Sequence, residues 1–377
     1  MSKAENTSFR WMRTGDQALS EMLDAIRAAK VSVRLEMYIV HTSAIADKFR
    51  DALVDAGQRG LQVQVVVDAM GSITLPEDFW DAFKASGGEF CWFNRVSLFR
   101  FGLRNHRKIL VCDETVAFVG GFNIAAEYEG DGVTVGWRDL GLKICGSLAK
   151  SLAEACDDMF ALAEGKDKFF ARLRKSRRDK RVKANDAELL LSAPGRKFNP
   201  VKRALSRDLK GAKNVQIICA YFLPTWKIRL DLRRVLRRGG RVQLILPGKT
   251  DVPLSQLAAR SLYRRMLRAG VEIYEYESQV LHAKMILIDD VVYAGSANLD
   301  TRSLHLNYEL LVRLQQPELV AEAHEIFAKD LQHCRRIEWE SWRKERNLWE
   351  RMKGRWAYFI LARLDPFISR RQWKLMR

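Results

Sequence analysis

The sequence predicts an α/β fold built twice: two pseudo-symmetric domains, each a mixed central sheet flanked by helices, followed by a basic amphipathic helical tail. Three observations carry this expectation. β-prone apolar runs alternate with amphipathic helical stretches, the order of these elements recurs in the second half, and one short motif appears in both halves, 176 residues apart. Repetition of this kind marks a duplicated α/β unit. Its functional site belongs on the seam between the copies.

In the first half, residues 14–30 read as a helix opened by Thr14 or Asp16, with Ala18, Leu19, Met22, Leu23 and Ile26 on one face. Residues 31–40, which include Glu36 and Tyr38, read as a strand. Residues 44–59 form a second helix ending at Gly60, and 61–68 a buried strand. A short helix over 76–85 and a strand over 90–93 lead through Phe99, Arg100 and Phe101 to the first motif, and helical patterning resumes at 147–163. The second half repeats the plan. Helices are expected at 199–211, 226–238 and 254–269, alternating with strands at 215–221, 242–246 and 271–276, before the second motif. The division that follows is 1–164 and 191–334 as the two domains, 165–190 as a basic linker or arm, and 335–377 as the tail.

The repeated motif is His-x-Lys-x4-Asp. It runs from His106 through Lys108 to Asp113 and is followed by Gly120-Gly121-Phe122-Asn123; it returns as His282, Lys284 and Asp289, followed by Gly295-Ser296-Ala297-Asn298. Residues i and i+2 of a strand share a face, so His and Lys project together. The Asp, at an odd offset, falls on the other face and ends the strand, where it holds the turn instead of touching substrate. Two copies supply two imidazoles and two ammonium groups. Phosphodiester chemistry uses that set: one imidazole attacks phosphorus, the other protonates the leaving oxygen, and the ammonium groups offset phosphoryl charge. The glycine-rich turns would let backbone approach a phosphate, with Asn123, Asn298 and Ser296 as further donors.

With this duplicated motif the sequence resembles the phospholipase D superfamily. The stretches Gly120–Tyr128, Trp137-Arg138-Asp139, Gly295–Ser303 and Asn307-x-Glu309 are similar to bacterial cardiolipin synthases, and the likeness covers roughly residues 10 to 330. The resemblance implies two phospholipase D-like domains with the active site at their interface. His106, Lys108, Asp113, His282, Lys284 and Asp289 form the candidate catalytic set. It implies a phosphatidyltransferase in which one histidine forms a phosphohistidine from phosphatidylglycerol and the phosphatidyl group then passes to a second phosphatidylglycerol or related lipid alcohol; of the two alike copies, we assign His106 as nucleophile and His282 as acid then base. Hydrolysis to phosphatidic acid, nuclease action, and an inactive binding scaffold are the alternatives. The internal repeat aligns Asp139 with Glu309. On that alignment Asp139 is expected to orient His106, and Glu309 to orient His282. Glu36, Tyr38 and Tyr221 are expected at the cleft mouth.

Composition narrows the setting. Six cysteines without a Cys-x-x-Cys pair read as reduced thiols of a cytosolic chain, and six histidines without a His-Cys cluster make neither a zinc site nor any other metal or cofactor site. The net charge of +18 is uneven: residues 165–183 and 335–377 carry +8 each, and the other 315 residues only +2. A nuclease would spread its cations through the cleft. Here the excess stands apart from it and beside tryptophans, so nucleic acid is not the expected partner. Trp342, Trp349 and Trp356 recur every seven residues among Arg and Lys, the composition of a helix lying in a headgroup layer. Trp339 and Trp373 bring the tail to five of the ten tryptophans. No run of about 20 apolar residues is present to cross a bilayer, and the chain resembles the shorter synthases that lack spanning segments. A peripheral enzyme on the cytoplasmic face of a bacterial membrane is expected, with anionic phosphatidylglycerol as substrate.

Overall fold

The computed structural model describes residues 7–95, 102–165, 181–184, 186–194, 199–345 and 348–364. Its first half runs β1 (Ser8–Met12), α1 (Gly15–Ala28), β2 (Ser32–Met37), α2 (Ala44–Gln58), β3 (Gln62–Asp68), α3 (Asp81–Ala85), β4 (Glu89–Phe93), β5 (Ile109–Cys112), β6 (Val116–Gly120), β7 (Gly141–Cys145) and α4 (Ser147–Glu164). Thr14 starts α1 by accepting from the Gln17 backbone N–H, and Ser43 caps α2 by accepting from Ala46. The strands form one sheet in the order β1-β7-β6-β5-β2-β3-β4. β2, β3 and β4 are parallel and the remaining pairs antiparallel, so the sheet is mixed as expected. The polar start of the chain gave no strand signal, yet β1 pairs along β7, because Trp11 and Met12 supply the buried end of that strand.

The second half runs β8 (Arg181–Ala184), β9 (Ala187–Ser192), α5 (Pro200–Asp208), β10 (Asn214–Cys219), α6 (Trp226–Arg237), β11 (Arg241–Lys249), α7 (Pro253–Leu267), β12 (Glu272–Val280), β13 (Lys284–Ile288), β14 (Val291–Gly295), α8 (Thr301–His305), β15 (Glu309–Leu314), α9 (Pro317–Leu331), β16 (Cys334–Ile337), α10 (Trp339–Glu345) and α11 (Leu348–Phe359). Its sheet has the order β16-β12-β11-β10-β13-β14-β15-β9-β8. Two expectations change here. Residues 181–184 and 187–190, placed in a linker by their charge, belong to strands, because Ala187, Leu189 and Leu191 bury one face of β9 while its backbone pairs with β15. The tail expected from 335 begins with β16, paired to β12. Residues 166–180, like Phe99, Arg100 and Phe101, lie outside the described residues.

The two motif strands show why the halves join. In β5, Ile109 and Val111 face inward while Leu110 and Cys112 face the outer helices; in β13, Met285 and Leu287 face inward while Ile286 and Ile288 face out. The inward residues share one apolar cluster with Leu152 of α4 and Phe327 of α9. Each such buried side chain contributes roughly 1.5–3 kcal/mol. That cluster clamps the sheets together and leaves the polar motif residues at the joint.

The seven-residue tryptophan recurrence does not make one face of one helix. Trp342 belongs to α10, is buried, and packs against Tyr263 with ring centroids 5.0 Å apart. α11 instead turns its small residues, Gly354 and Ala357, inward against α7, so Trp349, Met352, Trp356 and Phe359 are left exposed. Trp373 lies outside the described residues.

Candidate active site

Each motif histidine is held by backbone from the opposite half. The His106 N–H donates to the Tyr308 carbonyl at 3.0 Å, and the His282 N–H donates to the Arg138 carbonyl at 2.8 Å. Two isolated parallel bridges, Asn105 to Tyr308 and Arg138 to Leu281, stitch these crossings. The residues that follow Tyr308 and Arg138 are Glu309 and Asp139. Their carboxylates therefore reach across the seam: His106 Nδ1 donates to Glu309 Oε2 at 3.1 Å, and His282 Nδ1 donates to Asp139 Oδ2 at 2.5 Å. This corrects the expected pairing of Asp139 with His106 and Glu309 with His282. The internal repeat aligned equivalent residues but carried no information on which half each carboxylate serves. In both pairs Nδ1 faces the carboxylate and Nε2 is the ring nitrogen turned from it, and at His282 the Lys284 ammonium also stands 2.8 Å from Nδ1.

The lysines fold back on the same turns. Lys108 Nζ donates to the His106 carbonyl at 2.8 Å, Lys284 Nζ donates to the His282 carbonyl, and Lys284 Nζ lies 3.1 Å from His282 Nε2. All six groups are buried. Burial lowers the His106 pKa to about 4, against the pull of Glu309, and lowers Lys108 to about 7 with Lys284 adding repulsion. Burial likewise depresses His282 and Lys284, with Lys284 adding to the effect on His282. Burial acts to raise both carboxylates. Lys284 and His282 overcome it at Asp139, and His106 with Lys108 at Glu309, so both sit below the usual carboxylate range. The resting site thus holds a neutral His106, and a carboxylate anion orients each histidine. Mutual influence of Lys108 with Lys284 and Asp139, and of each histidine with both lysines, places the two half-sites in one electrostatic neighbourhood.

The other expected site residues have definite partners. Asp113 accepts from the backbone of Lys30, Val31 and Ser32, and Asp289 from Lys213 and Asn214. Both have left-handed backbone, φ 52° and 47°, so each holds the turn that ends its motif strand. Asn123 Oδ1 accepts from the Ile39 N–H while its Nδ2 donates to the Tyr128 hydroxyl; Asn298 Oδ1 accepts from the Tyr221 N–H. These amides brace the loops leaving β2 and β10. Ser296 Oγ donates to Glu309 Oε2 at 2.6 Å and steadies that carboxylate. Glu36 is not at the cleft mouth: it is 1% exposed and accepts from Asn105 and from the Arg107 guanidinium. Tyr38 stands as expected beside the site, its ring 4.6 Å from His106 and 4.8 Å from Lys108 Nζ, and Tyr221 lies 6.3 Å from the His282 ring.

The glycine turn has a reason the motif did not reveal. A Cβ on Gly121 would stand 2.0 Å from Asp139 Oδ1, whereas Ser296, its counterpart, hydrogen-bonds Glu309. Gly121 makes room for one carboxylate where Ser296 anchors the other. We expect Gly121→Ala to cost about 1–3 kcal/mol of stability and to reduce turnover with KM little changed, read by thermal melting and steady-state rates. Sequence reasoning also missed Tyr128 and Trp137 as neighbours of His282, with ring centroids 5.3 and 5.7 Å away. No spacing rule ties residues so distant in the chain to that ring. Among the described residues no group of three His, Cys, Asp or Glu is arranged to hold a metal ion.

Comparison with known proteins fits this geometry. A family model described as "Cardiolipin synthase, PLD-like domain" matches residues 22–129 and 205–331, which take in both motifs. The chain belongs to the cardiolipin synthase family. Among its curated relatives, cardiolipin synthase 1 of Bacillus cereus is 32% identical over 90% of this chain and 70% of its own length, and the cardiolipin synthase of Clostridium perfringens is 33% identical over 86% and 70%. In this family member the first matched segment stops ten residues before Asp139, while the second includes Glu309. Two solved structures share the fold: phosphatidylserine synthase of Haemophilus influenzae (TM-score 0.76, 15% identity, 98% of this chain and 95% of that one) and polyphosphate kinase of Porphyromonas gingivalis (TM-score 0.59, 16%, 89% and 49%). As in the sequence reading, no helix among the described residues of this cardiolipin synthase relative is long and apolar enough to cross a membrane.

Proposed function

We propose that the protein is a phosphatidyltransferase that makes cardiolipin from phosphatidylglycerol. The observation that carries this reading is the crossed arrangement of two buried histidines, each oriented by a carboxylate of the other half, beside two buried lysines. His106 Nε2 attacks the phosphorus of one phosphatidylglycerol. The bond from phosphorus to the headgroup glycerol oxygen breaks as His282, entering the step as the imidazolium, gives that oxygen its Nε2 proton, so glycerol leaves and phosphatidyl-histidine remains. The headgroup hydroxyl of a second phosphatidylglycerol then gives its proton to His282 and attacks phosphorus. The N–P bond to His106 breaks and cardiolipin is released. Lys108 and Lys284 offset charge on the phosphoryl oxygens, Glu309 and Asp139 stabilise the imidazolium forms, and Asp113 and Asp289 hold the strands that carry the motifs.

The exposed Trp349, Trp356 and Phe359 of α11, with Arg351, Lys353 and Arg355 on the same helix, support a peripheral seat on the anionic cytoplasmic face of a bacterial membrane. The test is purified protein with labelled phosphatidylglycerol vesicles. We expect cardiolipin and glycerol in equal amounts; phosphatidic acid as the sole lipid product would replace transfer by hydrolysis, and cleavage of single-stranded DNA without lipid turnover would discard the reading.

A further inference from the structure

Away from the motifs, helices α6 and α7 flank a groove of about 320 Å³ on the outer face of the second half. Its floor is apolar, with Leu232, Leu262 and Met266. Its rim is cationic: Arg229, Arg233 and Arg265 line it, no acidic side chain does, and among the described residues none of the three has an acidic partner. Three arginines around one apolar trough with no acidic neighbour make a cationic rim suited to an anion. Trp226 stands at the groove 70% exposed, more than either Trp349 or Trp356. The groove lies beside the tail, since α11 packs on α7 and the Arg229 guanidinium lies 5.9 Å from the Tyr358 ring.

We propose that this groove binds one anionic phospholipid of the bilayer surface, separately from the catalytic centre: its phosphate sits among Arg229, Arg233 and Arg265, the start of an acyl chain lies on Leu232 and Met266, and Trp226 rests at headgroup level. Guanidinium groups suit phosphate through paired N–H donors, and an exposed tryptophan beside them suits the interface. The groove's volume falls in the range of sites for single small ligands, which favours a lipid headgroup over a folded protein element. The inference rests on the peripheral lipid enzyme proposed above and adds a site that seats the second half on substrate-rich membrane.

The test uses the full chain and the double variant Arg233→Glu/Arg265→Glu, both positions being exposed. Sedimentation with phosphatidylglycerol vesicles is expected to show at least about tenfold weaker binding for the variant, with little binding of either protein to phosphatidylcholine vesicles. Turnover of water-soluble short-chain phosphatidylglycerol below its micellar concentration is expected to stay unchanged, which also shows that the variant folds. Trp226→Phe should reduce fluorescence quenching by vesicles of brominated phosphatidylglycerol. Unchanged vesicle binding by the double variant overturns the proposal, as does equal occupation of the groove by inorganic phosphate, or a dimer of the parent chain in solution that the variant abolishes with vesicle binding intact, which would assign the groove to a second copy. A protein that binds vesicles through the groove but makes no cardiolipin would refute the catalytic reading alone.

Discussion

His106→Ala and His282→Ala are each expected to lower cardiolipin formation by about 10⁴-fold, and only one of them should recover with an easier leaving group. Given a p-nitrophenyl phosphodiester, whose leaving oxygen needs no proton, His282→Ala should release one equivalent of p-nitrophenolate in a burst and then stall at the phosphohistidine. His106→Ala should release none. The difference follows from the assigned roles: His106, held neutral by burial with a pKa of about 4, offers a free Nε2 for attack, whereas His282 is needed for its proton. The 2.5 Å contact of its Nδ1 with Asp139, a charge-assisted bond, stabilises the imidazolium it has to become. The opposite pattern of rescue would exchange the two roles. Full activity in both variants would remove the histidines from the mechanism.

Stability of the resting protein is expected to fall on the order of 3 kcal/mol as pH drops from about 6.5 to about 4 through His106 alone. The native pKa lies below that of the unfolded chain, so the folded state favours the neutral ring. The contribution is complete above the unfolded value and is lost as the solution acidifies toward the folded one. Asp139 and Glu309 act in the same direction at lower pH, since both are depressed by the cations beside them. Thermal melts across this window should show a shallower decline in His106→Ala than in the parent chain. Parallel curves would mean that the imidazole is not buried as described.

Much of the fold was legible in the chain because its determinants are local. The caps of α1 and α2, the alternation in β5 and β13 and the helical faces of the first half depend on residues a few positions apart, and the motif repeats supplied the duplication. β1, β8, β9 and β16 were missed because each is short, polar in part, and stable only as a partner to a strand far off in sequence. The tail fails in the same way. Heptad spacing grouped Trp342 with Trp349 and Trp356, but Trp342, in α10, packs in the core against Tyr263, while the other two, in α11, stand in solvent.

The sequence by itself determined the chemistry: two His-Lys pairs, two carboxylates downstream of them, two turns, and a phosphodiester as the substance they suit. Only the tertiary structure decided the wiring, in which Glu309 serves His106 and Asp139 serves His282. The physical reason is that a repeat records which residues are equivalent, while contact across the seam depends on how two sheets pack through Ile109, Val111, Met285 and Leu287. That packing hands each histidine the backbone, and with it the carboxylate, of the other half.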